Sequence, residues 1–267
     1  MLIIAFRMRS LYIRSKPSFY SDTHLGGKMQ SQEREDKIPP ARLAGICYLV
    51  IIAGGLFSEI VVRGQLIVAG DAAATAANII EHENLYRTGI GASIAFLACN
   101  IPVIWVFYRV FRVFDQPISI LLVLTFMTAI IVEVANLGSY LEPLNYLINA
   151  EALAGLTESQ RAALSYSAFQ RFNAGFALSL AFFGAHCLIL ASLIIRSGLI
   201  PRIIGFALVF AGIGYITNTL TTFVAPQLRG DFGIFLLLPA LIAETSLALW
   251  LTLFGVNQAR WNEAAMS

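Results

Sequence analysis

Six runs of about twenty residues, each without Lys, Arg or Asp, constrain this chain more than any other feature. They are Leu43–Val62, Thr88–Tyr108, Ile118–Leu141, Phe172–Ile195, Ile203–Ala225 and Phe232–Phe254. A bilayer core about 30 Å thick is crossed by roughly 20 helical residues rising about 1.5 Å each, so every run is long enough to span. Membrane β-strands are instead about ten residues long and alternate in polarity, which these runs do not. The sequence therefore predicts an all-α polytopic membrane protein, with six transmembrane helices in one bundle and short extracytoplasmic interfacial helices. Composition agrees, because only 13% of the 267 residues are charged and mean hydropathy is +0.74. Soluble domains carry about a quarter.

The basic residues between the runs suggest an orientation. With the N-terminus in the cytoplasm, 13 of the 18 Lys and Arg fall on that side, including Arg109, Arg112, Arg196, Arg202 and Arg260. Arg63, Arg87, Arg161, Arg171 and Arg229 fall outside. The expected location is the plasma (inner) membrane, with both termini cytoplasmic and the lipid bilayer as the principal partner. A net charge of +2 gives no reason to expect nucleic acid. Cys47, Cys99 and Cys187 all lie inside apolar runs, where they serve as small hydrophobes. Nothing in the sequence asks for a cofactor.

The expected organisation has three parts. Residues 1–40 form a basic, disordered extension, of which 1–28 read as a mis-assigned start ahead of Met29. Residues 41–256 form the membrane domain, and 257–267 a cytoplasmic tail. Two long outer loops carry helix signals. Asp71 is placed to cap Ala72–Ile80, and Thr157 with Gln160 makes a capping box. A helix starting near Glu158 meets no breaker before the fourth span.

Several landmarks recur in a recognisable order. Ala41-Arg42-Leu43-Ala44-Gly45 opens the first span, and Glu59 closes it. Gly70-Asp71-Ala72-Ala73-Ala74-Thr75-Ala76-Ala77-Asn78-Ile79 follows in the outer loop. Phe183-Gly184-Ala185-His186, Ser197-Gly198, Pro201-Arg202-Ile203-Ile204-Gly205 and Leu238-Pro239-Ala240-Leu241-Ile242-Ala243-Glu244 complete the series. Together they resemble the prokaryotic membrane family catalogued as domain of unknown function 4386, over roughly Ala41 to Phe254. The resemblance supports the fold and supplies no mechanism.

Ionisable groups at bilayer depth are costly, and each, with the polar side chains beside it, is a candidate functional residue. The candidates are Glu59, Glu133, Asn136, His186, Asn218 and Glu244. Counting along each span places Glu59, Glu133, Asn136 and Asn218 in the outer half, and His186 and Glu244 nearer the midplane. A polar cavity open to the outside and ending at His186 and Glu244 is one expectation. No cation lies within a run, so Glu244 is expected to be protonated, hydrated, or paired with His186 or a bound cation. The corresponding function is a proton-linked or cationic small-molecule carrier or sensor. A homo-oligomer would then supply the helices that six spans lack for a carrier. Two alternatives stay open. In one, the protein is a structural or assembly subunit in which the polar groups only bind helices together. In the other it is an intramembrane metal-dependent hydrolase using His186, Glu244 and Glu133 as ligands. No Ser or Cys has an evident catalytic base nearby in sequence, which puts a non-enzyme ahead of an enzyme.

Overall fold

The computed structural model describes residues 40–149 and 153–266, the side chains of 228–235 excepted. The N-terminal extension and the suspected start at Met29 lie outside the described residues. Eight helices follow one another, and no strand occurs among the described residues. Helix α1 runs from Ala41 to Leu66, α2 is Ala72–Glu81 and α3 is Glu83–Phe111. Then come α4 (Gln116–Ile148), α5 (Glu158–Ser197), α6 (Arg202–Phe223), α7 (Arg229–Leu253) and α8 (Gln258–Met266). Six of them, α1 and α3 to α7, are long and apolar enough to cross a membrane. This is the predicted all-α, six-span bundle.

Successive spans run antiparallel and pack in sequence: α3 on α4, α4 on α5, α5 on α6 and α6 on α7. Helix α1 touches both α3 and α7 and so closes a ring. The ring is filled rather than open. Tyr48, Phe107, Phe126, Cys187, Leu190, Leu208 and Leu247, drawn from all six spans, are buried in one continuous core. Large apolar side chains such as Ile101, Ile131, Ile203 and Phe210 project outward and are more than half exposed. In water that surface would be a liability, but in lipid it is the favoured exterior.

Close approach depends on small residues in register. On α5 and α6, Ala177, Gly184 and Ala191 face Thr219, Gly212 and Gly205, each series stepping by seven. A Cβ on Gly184 would meet the Gly212 carbonyl at 2.8 Å, and one on Gly212 would meet the Gly184 carbonyl at 2.7 Å. Ala177, Gly205 and Gly212, small residues of the kind that let helices approach, are in this seam, joined by Gly184 and Ala191. A seven-residue step on both helices keeps one seam facing its partner, as in left-handed bundles. Gly45 plays the same part between α1 and α7, where its hydrogen lies against Thr252.

Helix ends follow local chemistry. Asp71 accepts from the Ala74 N–H at 2.9 Å, and Thr157 with Gln160 forms both halves of its capping box. Gly198, at φ 64°, ends α5 in the left-handed conformation that costs glycine least. At 40 residues α5 is about 60 Å long, twice the hydrocarbon thickness. Its first turns therefore overhang the bundle, and α2 packs on them; Ile79 of α2 joins a second buried cluster with Val62, Leu66, Tyr86, Tyr140 and Leu144. The Gly70 N–H donates to Tyr166 of α5 at 2.8 Å.

Residues 258–266, expected within a tail, form helix α8 at the opposite end of the bundle. Trp261 is 2% exposed, and its indole N–H donates to the Val110 carbonyl at 3.2 Å. An aromatic ring of that size cannot leave without opening a cavity. Trp261→Ala is expected to cost about 3 kcal/mol and to release α8, read as faster proteolysis near residue 258 and a lower melting temperature in detergent.

Candidate functional site

The candidate residues do not converge on one cavity. They divide into a group at the α2 end of the bundle, a pair of separate core sites, and Asn218, which stands apart.

At the α2 end, α4 and α5 meet in a regular antiparallel register. Tyr140 stacks on Phe172 at 4.7 Å, Glu133 accepts from the Ser179 hydroxyl, and Phe126 packs on His186 at 4.6 Å. Asn136 fits between these layers. It donates from Nδ2 to the Phe172 carbonyl at 2.8 Å and fills the space beside Gly175. Its amide is an interhelical clasp. Glu59 faces outward, 60% exposed, and pairs with Arg63 one turn on.

Arg63 departs from the sequence reading. The charge-free run ends at Val62, which places Arg63 outside the span and within snorkelling reach of Glu59 alone. Instead α1 continues to Leu66, and the Arg63 side chain turns inward with only 13% exposure. Its Nη1 donates to Asn173 Oδ1 at 3.2 Å, and its charge interacts with Glu133. The bundle therefore does hold a cation near two of its glutamates.

In the core, Glu244 of α7 is 7% exposed. The Tyr215 hydroxyl of α6 donates to its Oε1 at 2.5 Å, and the Tyr48 hydroxyl of α1 also hydrogen-bonds to it. Of the environments expected for Glu244, the pairing with His186 does not form, and Tyr215 and Tyr48 stand at the carboxyl instead. Three spans are thus tied at one carboxyl.

His186, 1% exposed, lies in an aromatic box of Phe107, Phe126 and Phe183. Its Nδ1 is 3.2 Å from the Leu122 carbonyl, which can only accept, so the proton is on Nδ1. Nε2 then carries a lone pair that is buried and has no partner. A ring of contacts links the two core sites. It passes from Glu244 to Tyr215, Phe183, His186, Phe107 and Tyr48, and back to Glu244.

The expected outward cavity ending at His186 and Glu244 does not form among the described residues, because ring and aliphatic side chains fill that volume. A shallow recess of about 350 Å³ lies at the α8 end instead, lined by Phe114, Ser197, Arg260, Glu263 and Ala264. Asn218 is 6% exposed on α6, and its carbonyl accepts from Thr221 and Thr222 on the same helix. No three His, Cys, Asp or Glu side chains come together to hold a metal among the described residues. The set His186, Glu244 and Glu133 is therefore not a metal centre here.

Sequence reasoning passed over Tyr48, Ser179 and Asn173. Tyr48 carried a usable signal, a hydroxyl well inside an apolar run where an unpartnered donor is expensive. Comparison with curated proteins and with solved structures finds no match to this chain. A family model does match, over residues 43–255, which take in every span and both core sites. The chain belongs to the family described as Domain of unknown function (DUF4386).

Proposed function

We propose that this protein is a proton-linked membrane sensor or carrier whose working group is Glu244. The observation behind this reading is the pair of phenol donors from α1 and α6 that meet one buried carboxyl of α7. An ionised carboxyl only accepts, so two donors satisfy it. A protonated one brings a donor of its own into a site whose neighbours already donate. One phenol must then turn, or a helix must shift, to supply an acceptor. Proton occupancy is thereby coupled to the packing of three spans, the differential interaction a two-state device requires. The bias of Lys and Arg supports an orientation with both ends in the cytoplasm.

Two bonds between spans favour a structural subunit as the second reading. They run from Asn136 to the Phe172 carbonyl and from Thr219 to the Ala177 carbonyl at 2.6 Å. Infrared difference spectra of the full chain in liposomes, recorded between acidic and alkaline pH, separate the two. Proton exchange at Glu244 gives a carboxyl C=O band that disappears in Glu244→Gln. A band that survives this substitution, or no band in the wild type, leaves the structural reading alone.

A further inference from the structure

Near its α2 end, α1 leaves α-helical geometry. Residues Phe57–Arg63 form a π-helix, a rare geometry that tends to occur at functional sites. It carries Ser58, Glu59 and Arg63. The Arg63 guanidinium lies over the rings of Phe172 and Phe176, at 5.3 and 5.7 Å, and donates from Nη1 to Asn173. Its Nη2 pairs with Glu59, whereas its Nε–H is buried and donates to nothing.

Two more buried donors without partners lie close by. The Ser58 hydroxyl precedes Arg63 by one i→i+5 turn. The Tyr140 hydroxyl belongs to a ring stacked on the same Phe172 that lies under Arg63, and the residue is 1% exposed. That hydroxyl lies beside Val62, the neighbour of Arg63: a Cβ on Gly89 would meet the Tyr140 oxygen at 2.8 Å and Val62 at 3.0 Å.

The chemistry of these groups specifies the missing partner. Nε and Nη2 form one edge of a planar fork that matches two oxygens of an anion. Glu59 takes only the Nη2 position. An arginine N–H cannot accept, so whatever completes the edge must be an acceptor. With two hydroxyls added, the donors number more than a planar carboxylate meets comfortably, whereas a tetrahedral phosphate presents oxygens in several directions. Position agrees. Arg63 stands 22 residues after Ala41, about 30 Å along the helix and so about one hydrocarbon thickness away. That is the level of lipid phosphates.

We propose that the Nε–Nη2 edge of Arg63, with the Ser58 and Tyr140 hydroxyls, binds a phosphate-type oxyanion that displaces Glu59. Glu59 is the resident substitute, and its exposed side chain is free to swing away. Glu133 is the other acidic group facing Arg63, and its hydrogen bond from Ser179 holds it in place when the oxyanion arrives.

The test compares wild type, Glu59→Gln and Arg63→Lys as full chains purified in detergent. One arm titrates inorganic phosphate and reads the melting temperature. The other transfers each protein into micelles containing phosphatidylglycerol or an uncharged, phosphate-free diacyl lipid, and counts retained lipid by native mass spectrometry. Removing the competing carboxylate in Glu59→Gln is expected to tighten oxyanion binding about fivefold, the equivalent of a surface ion pair of about 1 kcal/mol. Arg63→Lys keeps the charge, loses the fork, and should lose most of the binding. A response to inorganic phosphate identifies a soluble oxyanion, and a response confined to phosphatidylglycerol identifies a lipid headgroup. Equal binding by wild type and Glu59→Gln in both arms overturns the proposal, even if Arg63→Lys fails to fold.

Discussion

Gly212→Leu is expected to yield little or no folded protein. The reason is backbone meeting backbone. A Cβ at residue 212 falls 2.7 Å from the Gly184 carbonyl oxygen and 2.8 Å from Leu188 Cγ, and a leucine adds three more carbons. A flexible side chain can retreat from such a contact, but a carbonyl fixed in the middle of a 40-residue helix cannot. Overpacking of cores typically costs 1–3 kcal/mol, and here the two helices must separate along the whole seam from Ala177 to Ala191, so at least about 3 kcal/mol is expected. Gly91→Leu is the control. Nothing lies within 4 Å of a Cβ at that exposed position, and replacing a mid-helix glycine there should leave stability unchanged or slightly raised. Yield and melting temperature of the two variants in detergent make the comparison. Equal behaviour would mean that α5 and α6 do not touch through Gly184 and Gly212.

The second large effect is expected at Glu244, and its sign depends on what accompanies the change. Glu244→Leu leaves the hydroxyls of buried Tyr48 and half-buried Tyr215 without an acceptor, each costing about 1–3 kcal/mol, so a loss of about 3 kcal/mol is expected. Adding Tyr48→Phe and Tyr215→Phe removes both orphaned donors. Replacing all partners of a buried polar contact with apolar groups of similar shape is nearly neutral, so the triple variant should regain most of that loss. Thermal melts of the four combinations give the coupling directly. Additive losses would show that the two phenols and the carboxyl do not form one network. A triple variant that is stable yet lacks the pH-dependent infrared response would separate the cost of the site from its use.

Much of the fold was legible because lipid is an unforgiving solvent. A run such as Ile203–Ala225 has no other way to satisfy its backbone than as a helix, and α6 spans Arg202–Phe223. Local chemistry also read true at Asp71 and Thr157, whose caps depend on neighbours three residues away. Span ends were less legible. Counting to the first charge stopped at Val62, whereas Arg63 is tolerated inside because Asn173, Glu59 and two phenylalanine rings compensate it. Those partners come from a helix more than a hundred residues later. Likewise Pro143 does not end α4, which continues to Ile148.

Which polar groups meet was not legible at all. A span that is apolar on every side carries no periodicity to mark its inward face, so the rotation of α4, α5 and α7 about their axes could not be read from spacing. The amino-acid sequence alone determined that six segments are helices, that they lie in lipid, and where several of them begin. Only tertiary packing decided that Glu244 faces Tyr48 and Tyr215 rather than His186, and that Arg63 turns inward beneath Glu59. The physical reason is that helix formation answers to the bilayer residue by residue. The azimuth of each helix instead answers to small-residue seams such as Gly184 against Gly212, which exist only once two helices are side by side.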